Sequence, residues 1–185
     1  MRDKSFRWLG DLKQELRWRI QSRILCRKFK RAGASVRGDV LIIGKKESFN
    51  IAAGCSFHAS PGSSVLSAGE PLLLRALTRE ATIIFGENSG VTSSTIVASK
   101  CIRIGRDCLI GAGCLIIDSD FHGTVATSRS IRGSNTARSS QVVIGDRCFV
   151  GARSIILKGV SIPADTVIPA GSTVIHDSHS GFRLV

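Results

Sequence analysis

The chain has 185 residues, 43% of them hydrophobic and 22% charged, with a formal net charge of +12. That length suits one well-buried domain with an appendage, and no apolar run approaches the roughly 18 residues of a membrane span or the core of a signal peptide. The basicity is local: residues 1–37 hold twelve Lys/Arg against three acids, a net of +9, while residues 38–185 hold fourteen against eleven, a net of +3. The near-neutral remainder offers no second basic face, which argues against nucleic acid as a partner.

Residues 1–35 form a basic helical segment, with the helix itself expected over 4–31. Phe6, Leu9, Leu12, Leu16, Ile20 and Ile24 fall on one helical stripe, and Trp18, Leu25 and Phe29 fall on the opposite side. Such a helix either breaks near 21–23 or touches two surfaces. It reads equally as a cap over an open sheet edge and as a basic helix lying on an anionic membrane face. The two readings are compatible.

A short connector, 32–38, leads into the body of the chain. From about Val36 a worn period of six begins, with Val40, Ile43-Gly44, Ile51 and Phe57 as its aliphatic marks. Residues 61–79 break the period. Their run Leu72-Leu73-Leu74, with Ala76-Leu77, is too apolar to stay exposed and is expected to pack on a coil or a neighbouring subunit. Hexads resume at Phe85, Val91 and Val97. One extra residue, Arg103, shifts the frame to Ile104, Ile110 and Ile116.

The pattern is cleanest from Ile144 onward, where Ile144, Val150, Ile156, Ile162, Ile168 and Val174 recur every sixth residue. A period of six fits neither an amphipathic helix nor an alternating strand. It fits a solenoid in which each hexad makes one short side of a coil. The aliphatic points inward, the compact fifth residue fills the space beside a corner, and the Gly/Ala/Pro slot after the aliphatic is expected to turn the chain. Cys101, Cys108, Cys114 and Cys148 all fall on the fifth slot, and no CxxC pair occurs among the six cysteines. They read as reduced core thiols rather than a disulfide framework or a metal site.

After Ile116-Ile117 comes Asp118-Ser-Asp120-Phe-His122, then a polar stretch lacking the period until Val142-Val143-Ile144. A loop of this length (122–141) inside a repeat array is usually functional or disordered. It carries Arg129, Arg132 and Arg138 and no acid. If Asp118, Asp120 and His122 stay extended they share one face. Two carboxylates then stand beside an imidazole, which suits a general base with a fixed tautomer.

These hexads resemble the hexapeptide-repeat acyltransferases, and Asp118–His122 closely resembles the D-x-D-F-H segment of their sugar O-acetyltransferase branch. The resemblance covers residues 36–175. It implies an all-β fold, a left-handed parallel β-helix (a hexapeptide-repeat solenoid), here with the N-terminal helix, the extruded loop 122–141 and a tail, 176–185. The hand is taken from the resemblance, since it breaks the usual crossover rule. Also implied are a homotrimer, acetyl-CoA as acyl donor with no metal, and a carbohydrate acceptor, a surface polysaccharide or its lipid-linked precursor. The reduced thiols point to a cytoplasmic location, peripheral to the inner membrane face if residues 1–31 bind lipid.

Carried over by position, His122 is the general base with Asp120 or Asp118 orienting it. Phe149, Ala152 and Ala170 line the coenzyme groove, Arg153 and Lys158 face its phosphates, and His176 stands near its end. This chain departs from the family in having Pro163 and Pro169 where Gly is commoner, and Val174-Ile-His176-Asp where Val-Thr-Lys is typical. Val91 replaces an Asn that galactoside and maltose relatives use for their acceptors, against those simple sugars. The altered end keeps a competing reading open, a non-catalytic trimeric scaffold that has lost CoA binding. A zinc hydratase on this solenoid needs three imidazoles, and His58, His122, His176 and His179 have no paired spacing in the coils.

Overall fold

The computed structural model describes residues 4–60, 66, 70–123 and 137–185, with the side chains of the first helix described from residue 13 onward. Arg129 and Arg132, most of 61–69, and the side chains of Phe6, Leu9 and Leu12 lie outside the described residues.

A single 28-residue helix, α1 (Lys4–Arg31), precedes the strands. The first coil is β1 (Ser35–Gly38), β2 (Val40–Ile43) and β3 (Phe49–Ile51); the second is β4 (Ser56–Ala59), β5 (Leu72–Ala76) and β6 (Thr82–Phe85). The third is β7 (Gly90–Thr92), β8 (Thr95–Ala98) and β9 (Cys101–Ile104), and the fourth is β10 (Leu109–Ile110), β11 (Leu115–Ile117) and β12 (Val142–Ile144). The fifth is β13 (Phe149–Val150), β14 (Ile155–Ile156) and β15 (Ser161–Ile162), followed by β16 (Val167–Ile168), β17 (Thr173–Ile175) and a closing β18 (Arg183–Leu184).

Every third strand stacks in parallel. The first sheet runs β1-β4-β7-β10-β13-β16, the second β2-β5-β8-β11-β14-β17 with β18 antiparallel on its end, and the third β3-β6-β9-β12-β15. This is a left-handed parallel β-helix, all-β apart from α1. Its core is three registered columns. Phe57, Val91, Ile110, Val150 and Ile168 fill one, Ile42, Leu74, Ile96, Ile116, Ile156 and Val174 the second, and Phe85, Ile104, Ile144 and Ile162 the third, all nearly or fully buried.

The registers correct the frame at two places. Ile96, not Val97, stands in the second column, paired with Leu74 and Ile116, so the step from Val91 is five residues. Leu72–Ala76, expected to pack on a coil or a neighbouring subunit, is a coil strand in its own right, with Leu72, Leu74 and Ala76 turned inward between β2 and β8. Its sequence is a near-continuous apolar run, but burial alternates along it, as strand geometry requires.

The slots also divide their work differently. In the regular hexads the left-handed turn residue is the fourth: Asn88, Asp107, Arg147 and Asp165 at one corner, Gly113, Arg153 and Gly171 at another, all with positive φ. Gly105, by contrast, sits in the second slot because a Cβ there would lie 2.6 Å from the carbonyl carbon of Gly145, and Gly151 because a Cβ would lie 2.4 Å from the nitrogen of Ala170. Second-slot N–H groups donate to the next coil, Gly105 to Ile144 O and Gly151 to Ile168 O, both at 2.8 Å. Pro163 and Pro169 occupy this slot only where β15 and β16 are the last strands of their sheets, so no further coil awaits their missing N–H.

The fifth slot is more than filler. Its side chain donates to the next coil's second-slot carbonyl: Ser89 to Gly105 O at 2.7 Å, Cys108 to Gly145 O at 3.0 Å, Cys148 to Pro163 O at 3.1 Å, Ser154 to Pro169 O at 3.0 Å. Cys and Ser are interchangeable here because both carry a donor on one carbon. All six cysteines are free, with Cys55, Cys108, Cys114 and Cys148 buried and Cys26 and Cys101 only partly so. Burial pushes the thiols of the four buried cysteines up from their ordinary value.

At the opposite end α1 covers the exposed edge of β2 without a break. Ser22 Oγ accepts the N–H of Ile42 at 2.7 Å and donates to its carbonyl at 3.1 Å, and Gln21 donates to Gly44 O. Leu25 and Phe29 are buried, and Phe29 packs on Phe49 and Phe57 at centroid distances of 6.2 and 5.5 Å. The helix stops in a Schellman turn: Gly33, at φ +87°, donates to Lys30 O, and Ala34 donates to Phe29 O.

Candidate functional site

The corner between the second and third sheets gathers the titratable groups. In the third coil it is the turn Ser99–Lys100, in the fourth it is where the loop 122–141 leaves, in the fifth it is Lys158–Gly159, and above that lies His176. The departing loop has a closed neck. Ser140 donates its N–H to Asp118 O at 2.9 Å, Asp120 donates its own to Arg138 O at 3.0 Å, and Ser119 and Ser139 form an antiparallel bridge.

Within that neck the segment 118–122 does not stay extended. Phe121 adopts φ +60°, which ends the strand alternation, so the three acid–base residues do not share one strand face. Asp118 is fully buried and accepts three backbone N–H groups, from Ser99 at 2.6 Å and from Lys100 and Cys101 at 2.7 Å. Both its oxygens are engaged in tying the third coil's turn to the fourth. Asp120 makes an ion pair with Lys158, Oδ1 to Nζ at 2.6 Å, while its buried Oδ2 has no hydrogen-bond partner among the described residues. His122 is exposed, two residues further on.

His176 is exposed beside Gly159, where a Cβ would come 3.4 Å from that of His176 and 3.5 Å from Ser140 Oγ. So Asp118, Asp120, His122, Lys158 and His176 converge on one corner. Phe149, Ala152, Arg153 and Ala170 lie elsewhere: Phe149 is in β13 of the first sheet, and the other three form stacked turns between the first and second sheets. Among the described residues Arg153 has no side-chain partner, and it is exposed. The tie between Lys158 and Asp120 is not legible in the sequence, because the two lie 38 positions apart across a stretch without the six-residue period. The Asp118 anchor was equally hidden, since its three donors are main-chain groups.

A family model described as the hexapeptide repeat of succinyl-transferase matches residues 101–124 and 141–175, the coils that carry this corner. Over those coils the chain resembles the hexapeptide-repeat family. The chain is 34% identical over 115 residues to the putative lipopolysaccharide biosynthesis O-acetyl transferase WbbJ of Escherichia coli (strain K12). That alignment covers 58% of each chain. A solved structure, a mutant of AntD, an N-acyltransferase from Bacillus cereus in complex with dTDP and Coenzyme A, aligns over 86% of this chain and 87% of that one. At 14% identity and a TM-score of 0.30 that likeness carries no weight.

Proposed function

We propose that this protein is an O-acetyltransferase that uses acetyl-CoA to acetylate a sugar hydroxyl of a surface polysaccharide or its lipid-linked precursor. The observation that carries the reading is the corner at which Asp118 anchors the chain and Asp120 is held by Lys158, with His122 exposed beside them. The likeness to WbbJ supports the substrate class.

In this reading His122 removes the proton of an acceptor hydroxyl while that oxygen attacks the thioester carbonyl. The tetrahedral adduct collapses, the C–S bond breaks, and the imidazolium returns its proton to the departing thiolate. With both oxygens of Asp118 taken by main chain, Asp120 Oδ2 is the acceptor left to orient the ring. Lys158 is committed to Asp120, so Arg153 is the better partner for the donor's phosphates, with Phe149, Ala152 and Ala170 forming an open ledge for its arm.

A homotrimer fits the same reading. Leu109, Phe149 and Val167 are 57%, 46% and 64% exposed and stack in register on the outer face of the first sheet, an apolar strip against which a second copy would sit, turning the ledge at Phe149 into a groove between two subunits.

The test is thiol release from acetyl-CoA with a panel of glycan acceptors. His122→Ala is expected to cut turnover by about 10² to 10⁴ at an unchanged unfolding midpoint. Intact turnover in that variant removes the base assignment. If acetyl-CoA fails to raise the wild-type midpoint, the non-catalytic scaffold is the better account.

A further inference from the structure

The face of α1 that does not touch the solenoid is a second apolar stripe. Leu16, Ile20 and Ile24, spaced by four, are 59%, 50% and 60% exposed, while Ser22, Leu25 and Phe29 on the other side are buried. Coverage of the sheet edge therefore explains only half of the helix. Beside the exposed stripe run Lys13, Arg17, Arg23, Arg27 and Arg31, all exposed and without a carboxylate partner among the described residues. Between residues 13 and 31 the one acid is Glu15, and it is paired with Arg19 at 3.1 Å. A cleft of about 480 Å³ opens alongside, lined by Arg23, Arg27 and Lys30 together with Asp39.

We infer that this face docks the protein flat on an anionic phospholipid bilayer, with Leu16, Ile20 and Ile24 entering the interface and the flanking guanidinium groups binding lipid phosphates. An apolar ridge bordered by cations is what an interfacial helix requires. Other occupants fit less well. A second copy would bring the same cations face to face and be repelled. A nucleic-acid backbone has no use for three exposed aliphatics in the middle of the basic face. The inference stands apart from acyl transfer and holds whether or not the enzyme reading does.

The test is co-sedimentation of the full chain with vesicles of phosphatidylcholine alone or with about a third phosphatidylglycerol, without any acyl donor. Wild-type protein is expected to bind the anionic vesicles, to leave the neutral ones largely free, and to dissociate as salt rises. Arg23→Gln with Arg27→Gln is expected to weaken binding about 25-fold, roughly fivefold per cation. Leu16→Gln, Ile20→Gln and Ile24→Gln together are expected to abolish it, each loss being about tenfold. Because all these side chains are exposed, the unfolding midpoint is expected to stay in place as the folding control. Absence of wild-type binding, or wild-type binding by the triple variant, overturns the inference. So does a triple variant whose only change is oligomeric state by light scattering, which would make the stripe a protein contact.

Discussion

Asp118→Ala separates the anchoring of the corner from its chemistry. The carboxylate is fully buried and its two oxygens receive three main-chain donors at 2.6 to 2.7 Å. Hydrogen bonds to a charged group contribute about 1.5–3 kcal/mol each. Three such bonds are not additive, and water admitted by the truncated side chain would recover part of the loss. We therefore expect a cost of about 4 kcal/mol, near the upper end for a single substitution, and a fall of roughly 8–16 °C in the unfolding midpoint. Asp118→Asn is expected to lose somewhat less, since one oxygen remains, although its NH₂ then faces donors. Urea titration by circular dichroism gives the free energy, and activity at a temperature where the variant is folded gives the other coordinate. A cost below about 1 kcal/mol, or full stability with turnover lost, would refute the anchoring argument and return Asp118 to the catalytic set.

Other outcomes follow from the hexad geometry. Gly105→Ala places a Cβ 2.6 Å from backbone of the next coil and is expected to cost about 3 kcal/mol, whereas Gly171→Ala meets nothing within 4 Å and should cost only the strain of φ +75°, about 1 kcal/mol. Thermal melts of the pair check the contrast. Cys108→Ser keeps a donor for Gly145 O and is expected to change stability by less than about 1 kcal/mol, while Cys108→Val orphans that carbonyl at about 1–3 kcal/mol. Burial and then the neighbouring Arg37 hold the imidazole of His58 below its ordinary pKa, and Ser35 Oγ lies 3.2 Å from its Nε2. The unfolded chain thus takes up the proton first, so stability falls as pH drops from roughly 7 towards 5, and His58→Gln is expected to flatten that part of the profile.

The six aliphatics that recur at every sixth residue from Ile144 to Val174 make the solenoid legible, since no other regular structure repeats that way. The first coils are harder to read because buried Phe and Leu replace small aliphatics and because the sequence before β5 lacks the six-residue period. The turn slot was misjudged for a physical reason. Glycine in a second slot suggests a turn, but only the stacked coils reveal that it is there for close approach, and that Asn, Asp and Arg carry the left-handed turn four places in. On α1 the two apolar faces were visible in the sequence. Which of them meets the protein was settled by Ser22 and Phe29, which bond and pack on the first coil, leaving the longer aliphatic stripe outside. At the candidate site the residue types were legible, but the pairings were not, because Lys158 and the donors of Asp118 are neighbours only across coils.

A stack of parallel coils has no intrinsic length. Each new coil presents the ledge on which another copy's first coil would sit, and identical subunits adding end on end would make a filament. Pro163 and Pro169, placed where the stack ends, withdraw two donors from that ledge, and β18 lies antiparallel across a third of it. α1 closes the other end. The sequence therefore carries a terminator at each end, and replacing both prolines by glycine is the change that would unblock one of them.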